Sequence, residues 1–479
     1  MRLAYRVAEI RAAEEALMAT LPDGVLMQRA AAGLATRAAA LLAEAGGVYG
    51  SRVLLLVGAG NNGGDTLYAG ARLARRGVRV NALLLAPEDR THPDGLAALR
   101  AAGGRLVDAV TPADLVLDGI VGIGGRPGLR PAALAAVRAV DAPILAVDVP
   151  SGVDVDTGAA PDESAAAAVT VTFGTLKPAL VAGPASARAG LVELIDIGLG
   201  PWLPAEPWLS VPDAADVASW WPVPRPQDDK YTRGVVGIAA GSPEYTGAPV
   251  LSVGGALAGP AGFVRYAGAA AEHVRRSWPE AVITDRVGDA GRAQAWIAGP
   301  GLGTDERSRA ELRGVLAADV PVCLDADALT IVAQDPRGWL GHRTAPTVIT
   351  PHDREYARIA GTEVGDDRVR AAAELSDRLG VTVLLKGYRT VVAGPGERYV
   401  NPTGTPALGT AGSGDVLAGL LGSLLAGGLP PARAAIAAAF VHGLAGRRAA
   451  ADGPVTARHV LSALRPAVRD LLRPIPSGR

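Results

Sequence analysis

Cysteine is almost missing from this chain: Cys323 is the only one in 479 residues. One thiol cannot close an internal disulfide or build a cysteine metal cluster. Lysine is nearly as scarce. Lys177, Lys230 and Lys386 are the whole set, so almost every cation is arginine, which we read as a bias of genome composition. Aromatic residues make up only 4%. Net charge is also lacking, since 47 Lys plus Arg against 48 Asp plus Glu leave −1. A dedicated nucleic-acid binder needs a basic face, and this balance removes the electrostatic case for one. The longest apolar run, Val416–Leu429, is broken by glycines and falls short of the ~20 residues that span a bilayer. Near the N-terminus, Glu9, Arg11, Glu14 and Glu15 interrupt the apolar core that a secretion signal requires. We therefore expect a cytoplasmic protein with neither nucleic acid nor membrane as partner.

What the chain does have is length, small residues and a hydrophobic content of 49%. At roughly 100–200 residues per domain, two or three domains are expected. The 61 glycines and 36 prolines point to a turn-rich α/β architecture. In the first half, short apolar runs alternate with helical stretches: Val53–Val57, Val80–Leu85, Leu115–Asp118, Ile144–Val149, Val169–Phe173 and Leu191–Ile195. Unbroken apolar strands separated by helices predict a parallel sheet covered on both faces, a doubly wound fold. A helical stretch from about Ala8 to Ala43 precedes them and should pack across one side.

From Gly200 to Asp228 the pattern dissolves into a segment rich in proline and tryptophan. We place the domain boundary there, with a first domain over 1–212, a linker over 213–228 and a second domain over 229–479. Beyond it a second alternation begins, with strands expected at Val235–Ala239, Ala281–Thr284, Ala295–Ala298, Val322–Asp325, Thr347–Thr350, Val381–Lys386 and Thr390–Ala393, and helix from Gly414 onward. No repeat links the two halves.

The first chemistry-bearing group begins where strand Val53–Val57 runs into Gly58-Ala59-Gly60-Asn61-Asn62-Gly63-Gly64-Asp65. Glycines let a backbone approach a ligand, and the following helix N-terminus offers free N–H donors to a phosphate. The spacing is not the dinucleotide fingerprint, and a tight structural turn is the competing reading. Two other strand ends carry acids: Asp118, before the loop Gly122–Gly128, and Asp148, before Pro150-Ser151-Gly152. In an open parallel sheet these loops converge beyond the carboxyl ends of the strands, where ligands bind. A carboxylate there can move protons or hold a cation, or merely cap a helix.

The segments GAGNNGGDT, LDGIVGIGGRPG and AVDVPSGVDVDTG resemble the signatures of the NAD(P)H-hydrate epimerase family. The resemblance implies that Asn61, Asn62, Gly63, Gly64 and Asp65 bind the hydrated dinucleotide together with Gly122, Ile123, Gly124, Gly125, Arg126, Pro127 and Gly128. Asp148 would stand at the reacting ring as the catalytic group, and Asn62, Asp118 and Ser151 would hold a potassium ion. Thr66 stands where that family usually has Gly and should narrow the loop slightly. LKPAL, with Lys177, and Gly190–Asp196 are similar to the family's end segment.

The second group is Gly409-Thr410-Ala411-Gly412-Ser413-Gly414-Asp415, leading into a helix. Three glycines and two hydroxyls before a helix make an anion-binding nest, and an acid at that helix start can accept a hydroxyl proton during phosphoryl transfer. GxxxxGK[ST] is missing, which excludes a P-loop. Lys386-Gly387-Tyr388-Arg389-Thr390 should join two strands in a hairpin with donors for phosphates, while Gly299–Gly303, Asp325-Ala326-Asp327 and Thr350-Pro351-His352 close strands on the same edge.

Together with KYTRG and AGSPEYTGAP, these segments resemble the ribokinase-like fold and, within it, the ADP/ATP-dependent NAD(P)H-hydrate dehydratase family. The resemblance implies that Asp415, His352, Gly303 and Ala248 contact the hydrated nicotinamide nucleotide, with Asp415 catalytic. Lys386, Gly387, Tyr388, Arg389, Thr390 and Gly414 would contact ADP or ATP, carried with Mg2+. Thr405 departs from the family's frequent Asn. Both resemblances, in this order, imply an NAD(P)H-hydrate repair enzyme: a Rossmann-like domain that interconverts the two epimers of hydrated NADH or NADPH, then a domain that dehydrates the S epimer. We expect a homo-oligomer. The competing reading is a ribokinase-like vitamin or sugar kinase fused to a non-catalytic nucleotide-binding module.

Overall fold

A computed structural model describes residues 1–473 and divides the chain into two compact units: Leu3–Leu209, and Ser210 onward together with Met1–Arg2. After β1 (Arg2–Ala4), the first unit holds β2 (Arg52–Val57), β3 (Arg79–Leu84), β4 (Arg105–Val107), β5 (Leu115–Gly119), β6 (Ile144–Val147), β7 (Val169–Phe173) and β8 (Leu191–Ile195). They form one parallel sheet in the order β4-β3-β2-β5-β6-β7-β8. The order turns around between β2 and β5, so their carboxyl ends open a crevice there.

The run VLLLV in β2 is apolar throughout because both its faces are covered. Val53, Leu55 and Val57 pack with Leu34, Ala38 and Leu42 of helix Val25–Glu44, while Leu54 and Leu56 pack with Ala133 and Ala136 of helix Pro131–Arg138. The helical stretch expected over residues 8–43 is two helices, Val7–Met18 and Val25–Glu44, divided at Pro22 and at Gly24, whose φ is 77°.

The second unit continues with β9 (Leu209–Val211), β10 (Val235–Ala239), β11 (Phe263–Ala267), β12 (Val282–Thr284), β13 (Ala295–Ala298), β14 (Val322–Leu324), β15 (Thr347–Ile349), β16 (Thr382–Leu385), β17 (Val391–Gly394) and β18 (Glu397–Val400). Its sheet runs β9-β18-β17-β16-β15-β14-β13-β10-β11-β12, with Met1–Arg2 completing the β9 edge. Strands β10 to β16 are parallel and β17 and β18 antiparallel, and the order turns around between β13 and β10.

Helix Ser413–Ala426 lies buried against this sheet. It crosses helix Gly247–Leu257 glycine to glycine: a Cβ on Gly419 would collide with the Ser252 carbonyl, and one on Gly255 with the Val416 carbonyl. This close crossing seats the helix start, and Asp415 with it, beyond the carboxyl ends of the parallel strands.

The segment expected to be a linker is more ordered than its composition suggests. Asp213 and Asp216 cap each other's backbone N–H groups at 3.0 and 2.9 Å, starting helix Ala214–Trp220. Val217 and Trp221 then enter the core of the second unit. The division falls between Leu209 and Ser210, a few residues ahead of the expected one.

Candidate active sites

In the first unit, the helix begins at Asn61, so Asn61–Gly64 form its first turn instead of a loop. Gly60, at φ 82°, makes the bend, and Gly58 lies so close to the Ile120 carbonyl that a Cβ would clash. This turn and the Ile120–Gly128 loop face a cleft of about 1860 Å³. Asn61, Asn62, Asp65, Gly122–Arg126, Gly128 and Asp148 all line it; Gly63 and Gly64 are buried beneath, and Pro127 is not among the lining residues. Thr66 does not narrow the cleft: it is fully buried, donates to the Asn62 carbonyl at 2.7 Å and packs against the backbone at Gly119.

Asp148 adopts φ 71°, a left-handed backbone that costs a non-glycine residue energy and that clusters at functional sites. Lys177 donates to its Oδ1 at 2.6 Å, and Thr172 does so at 3.2 Å. Lys177 is only 1% exposed and also donates to Thr172 Oγ1 and the Phe173 carbonyl. Removing either charge would strand the other in the interior, a loss of about 3–5 kcal/mol for buried pairs. Glu14, on helix Val7–Met18, lines the same cleft. Burial, and then the negative charge of Asp148, raise its carboxyl. Asp65 is pushed well above the ordinary carboxylate range, by burial first and then by Asp148 and Glu14.

Asp118 and Ser151 meet below the cleft, both fully buried. Ser151 donates its hydroxyl to Oδ1 at 2.6 Å and its N–H to Oδ2 at 2.9 Å, and the Ile120 N–H adds a third bond at 3.3 Å. Asp118 therefore ties two strand-end loops together and caps no helix. Burial raises its carboxyl, although these bonds oppose the shift. Asn62 sits against Gly122, its amide nitrogen buried without a hydrogen bond.

In the second unit, Asp325, Lys386, Glu355 and Gly414 converge. Lys386 donates to Asp325 Oδ1 at 2.7 Å and lies 3.5 Å from Glu355. Burial works against its charge, but Asp325 and Glu355 outweigh that and raise it. A Cβ on Gly414 would stand 3.7 Å from both Asp325 Oδ2 and Lys386 Nζ. Ala326, between Asp325 and Asp327, has φ 48°; with Asp148 it is one of two non-glycine residues at positive φ among the described residues. Each candidate site thus holds one. Gly303 donates its N–H to Asp327 at 2.9 Å, and Gly301 packs against Ala248.

Asp415 is the third residue of its helix, after Gly412 at φ 85°. Burial, and then the charges of Asp325 and Asp327, push its carboxyl up to about 7 against the opposing pull of Lys386. His352 caps helix Asp353–Ala360, its Nδ1 accepting the Arg354 and Glu355 N–H groups. Lys386–Thr390 form the expected β16–β17 hairpin loop. Arg389 turns to the Pro402 carbonyl at 2.6 Å and Lys386 to Asp325, while Tyr388 is 41% exposed. Thr405 caps the short turn Pro406–Leu408.

Sequence reasoning missed Glu14, Glu355 and the pairing of Lys177 with Asp148. A signal for the lysines was present in the composition. Of three lysines in an arginine-rich chain, two stand in these sites against an aspartate, where a compact ammonium fits and a planar guanidinium does not.

Two parallel-sheet α/β units, each gathering acids and a lysine among glycine-rich loops beyond the carboxyl ends of its strands, define a pair of fused nucleotide-type enzyme domains. Comparison with known proteins identifies them. Residues 23–179 match the family model described as YjeF-related protein N-terminus, and residues 236–466 match NAD(P)H-hydrate dehydratase. The chain is 54% identical to the bifunctional NAD(P)H-hydrate repair enzyme Nnr of Mycobacterium tuberculosis, covering 91% of each chain. It is 52% identical to that of Mycobacterium leprae, covering 98% of this chain and all of the relative. Among solved structures, a ribokinase-like superfamily protein from Enterococcus faecalis V583 matches with a TM-score of 0.51 and 25% identity, covering 56% of this chain and 98% of that one. The chain belongs to the family of bifunctional NAD(P)H-hydrate repair enzymes, an epimerase followed by a ribokinase-like dehydratase.

Proposed function

We propose that the two crevices act in turn on one damaged metabolite, hydrated NADH or NADPH, which bears a hydroxyl at ring carbon six. In the first, the helix turn at Asn61–Asp65 and the Gly122–Gly128 loop take the dinucleotide, and Asp148, held by Lys177, takes the hydroxyl proton. The observation that carries this reading is the buried Asp148–Lys177 pair opening onto a cleft of dinucleotide size.

A potassium ion fits the donors beside that cleft. Asn62, Asp118 and Ser151 carry amide, carboxylate and hydroxyl oxygens, the hard ligands that suit an alkali ion, and Asp118 and Ser151 already stand side by side. Bound there, the ion would offset the dinucleotide's negative charge.

In the second crevice, Asp415 accepts the proton of the ring hydroxyl as that oxygen takes a phosphoryl group from ADP or ATP, and the N–H groups before and within the first turn of helix Ser413–Ala426 receive the phosphates. No cluster of three His, Cys, Asp or Glu that could hold a metal occurs among the described residues. Mg2+ would arrive on the nucleotide, coordinated by its phosphate oxygens. Loss of phosphate from carbon six and of a proton from carbon five restores the ring double bond. Hydroxide leaves poorly and phosphate well, which explains a kinase-like fold in a dehydratase. In this reading Gly303, Ala248 and His352 contact the substrate, and Gly387–Thr390 the nucleotide.

No helix among the described residues is long and apolar enough to cross a membrane. As a separate proposal, the protein acts in the cytoplasm as a homo-oligomer whose domains are separable. The test is stoichiometry: with S hydrate and ADP or ATP, free phosphate and reduced cofactor should appear one to one. A stable phosphorylated product would instead make the second unit a small-molecule kinase.

A further inference from the structure

We infer that Glu14 is a catalytic residue of the epimerase, the proton donor that complements Asp148. This rests on the reading of the first crevice given above. Epimerising a ring carbon that bears both a hydroxyl and the ring nitrogen needs two proton-handling groups. One takes the hydroxyl proton as the carbon–nitrogen bond opens to an aldehyde; the other supplies a proton to the nitrogen, which receives the bond's electron pair. Rotation of the aldehyde and closure on its other face, with both protons returned, gives the second epimer.

Asp148 fits the first role, since it lines the cleft with its Oδ1 fixed 2.6 Å from the Lys177 ammonium. Lys177 is poorly suited to the second, because its ammonium is committed to Asp148, Thr172 and the Phe173 carbonyl. Two other carboxyls line the cleft, Glu14 and Asp65. Asp65 has a buried Oδ1 without any hydrogen-bond partner. Glu14 and Asp65 repel each other's charge and are both raised by burial and by Asp148, so this group of carboxyls favours retention of a proton at Glu14 or Asp65.

The charged groups acting on Glu14 are Asp148, Lys177 and Arg11, and Glu14 in turn acts on Asp65, on helix Asn61–Ala74. Burial, the largest effect, and Asp148 raise it, while Lys177 and Arg11 oppose them. Glu14 is partly open to the cleft, which gives it both substrate access and a route for exchanging its proton. It also lies ahead of residues 23–179, the stretch matched by the N-terminal family model.

The experiment follows loss of the R epimer in the full chain carrying Glu14→Gln or Glu14→Asp, across pH. Glu14→Gln should lower kcat ~10²–10⁴-fold, the usual worth of general acid–base help, with KM within about threefold. The alkaline fall in rate caused by ionisation of Glu14 should vanish in the Gln variant, and Glu14→Asp should recover part of kcat. Dehydration of pure S epimer by the same preparations should be unchanged, which excludes a general folding failure. A Glu14→Gln enzyme with wild-type kcat and pH profile would overturn the inference while leaving the epimerase reading intact, as would a change in KM alone. A wild-type protein that does not interconvert the epimers would instead overturn the reading beneath it.

Discussion

Asp415→Asn should inactivate the dehydratase and, above neutral pH, stabilise its fold. The carboxyl rises from 3.8 to about 7 because it is buried near Asp325 and Asp327. At about 1.4 kcal/mol per pK unit, ionising it in the folded protein costs at most about 4 kcal/mol more than in the unfolded chain. Between about pH 4 and 7 the native state retains a proton that the unfolded state has shed, so stability falls as pH rises through that window. Asparagine keeps the shape and never ionises. In urea unfolding without nucleotide, the variant should therefore match wild type near pH 4 and exceed it at pH 8 by up to that amount. Turnover on S hydrate should fall ~10²–10⁴-fold, and the wild-type rate should climb with pH towards a plateau above about 7 as the base ionises. Turnover within threefold of wild type would remove Asp415 as the base. A stability difference independent of pH would refute its raised carboxyl.

Two further outcomes follow from the geometry. Asp118→Ala should slow loss of the R epimer and abolish its response to potassium while dehydration of the S epimer continues; an unchanged potassium response would exclude Asp118 from the cation site. Fragments divided between Trp208 and Leu209, ahead of β9, should each be soluble and keep their own activity, whereas a cut after Trp221 should cost the second fragment stability, because β9, Val217 and Trp221 leave its sheet and core. Equal stability after both cuts would contradict that assignment.

The strands were legible wherever both faces are covered, as in Val53–Val57, because such runs are apolar throughout. β11 escaped notice since Arg265 interrupts FVRYA, its guanidinium leaving the sheet to bond the Ala290 carbonyl. β18, ERYV, was too short and polar to stand out. Helix Ala214–Trp220 was hidden by flanking prolines, and its capping pair, Asp213 and Asp216, was the overlooked signal. Loop positions of the sites were readable because glycines and acids fall at strand ends. Their electrostatics were not, since Asp148, Lys177, Asp65 and Glu14 come from four separate segments, and sequence spacing does not reveal which of them share a pocket.

The central claim is that two sites on one chain act in sequence, and pure R hydrate tests it most directly. Wild type given R hydrate, potassium and ADP or ATP should restore the reduced-nicotinamide absorbance completely. Asp148→Asn should fail on the R epimer yet process the S epimer, and Asp415→Asn should fail on both while still interconverting them. Recovery from the R epimer by the Asp148→Asn enzyme at the wild-type rate, after correction for spontaneous epimerisation, would contradict the account.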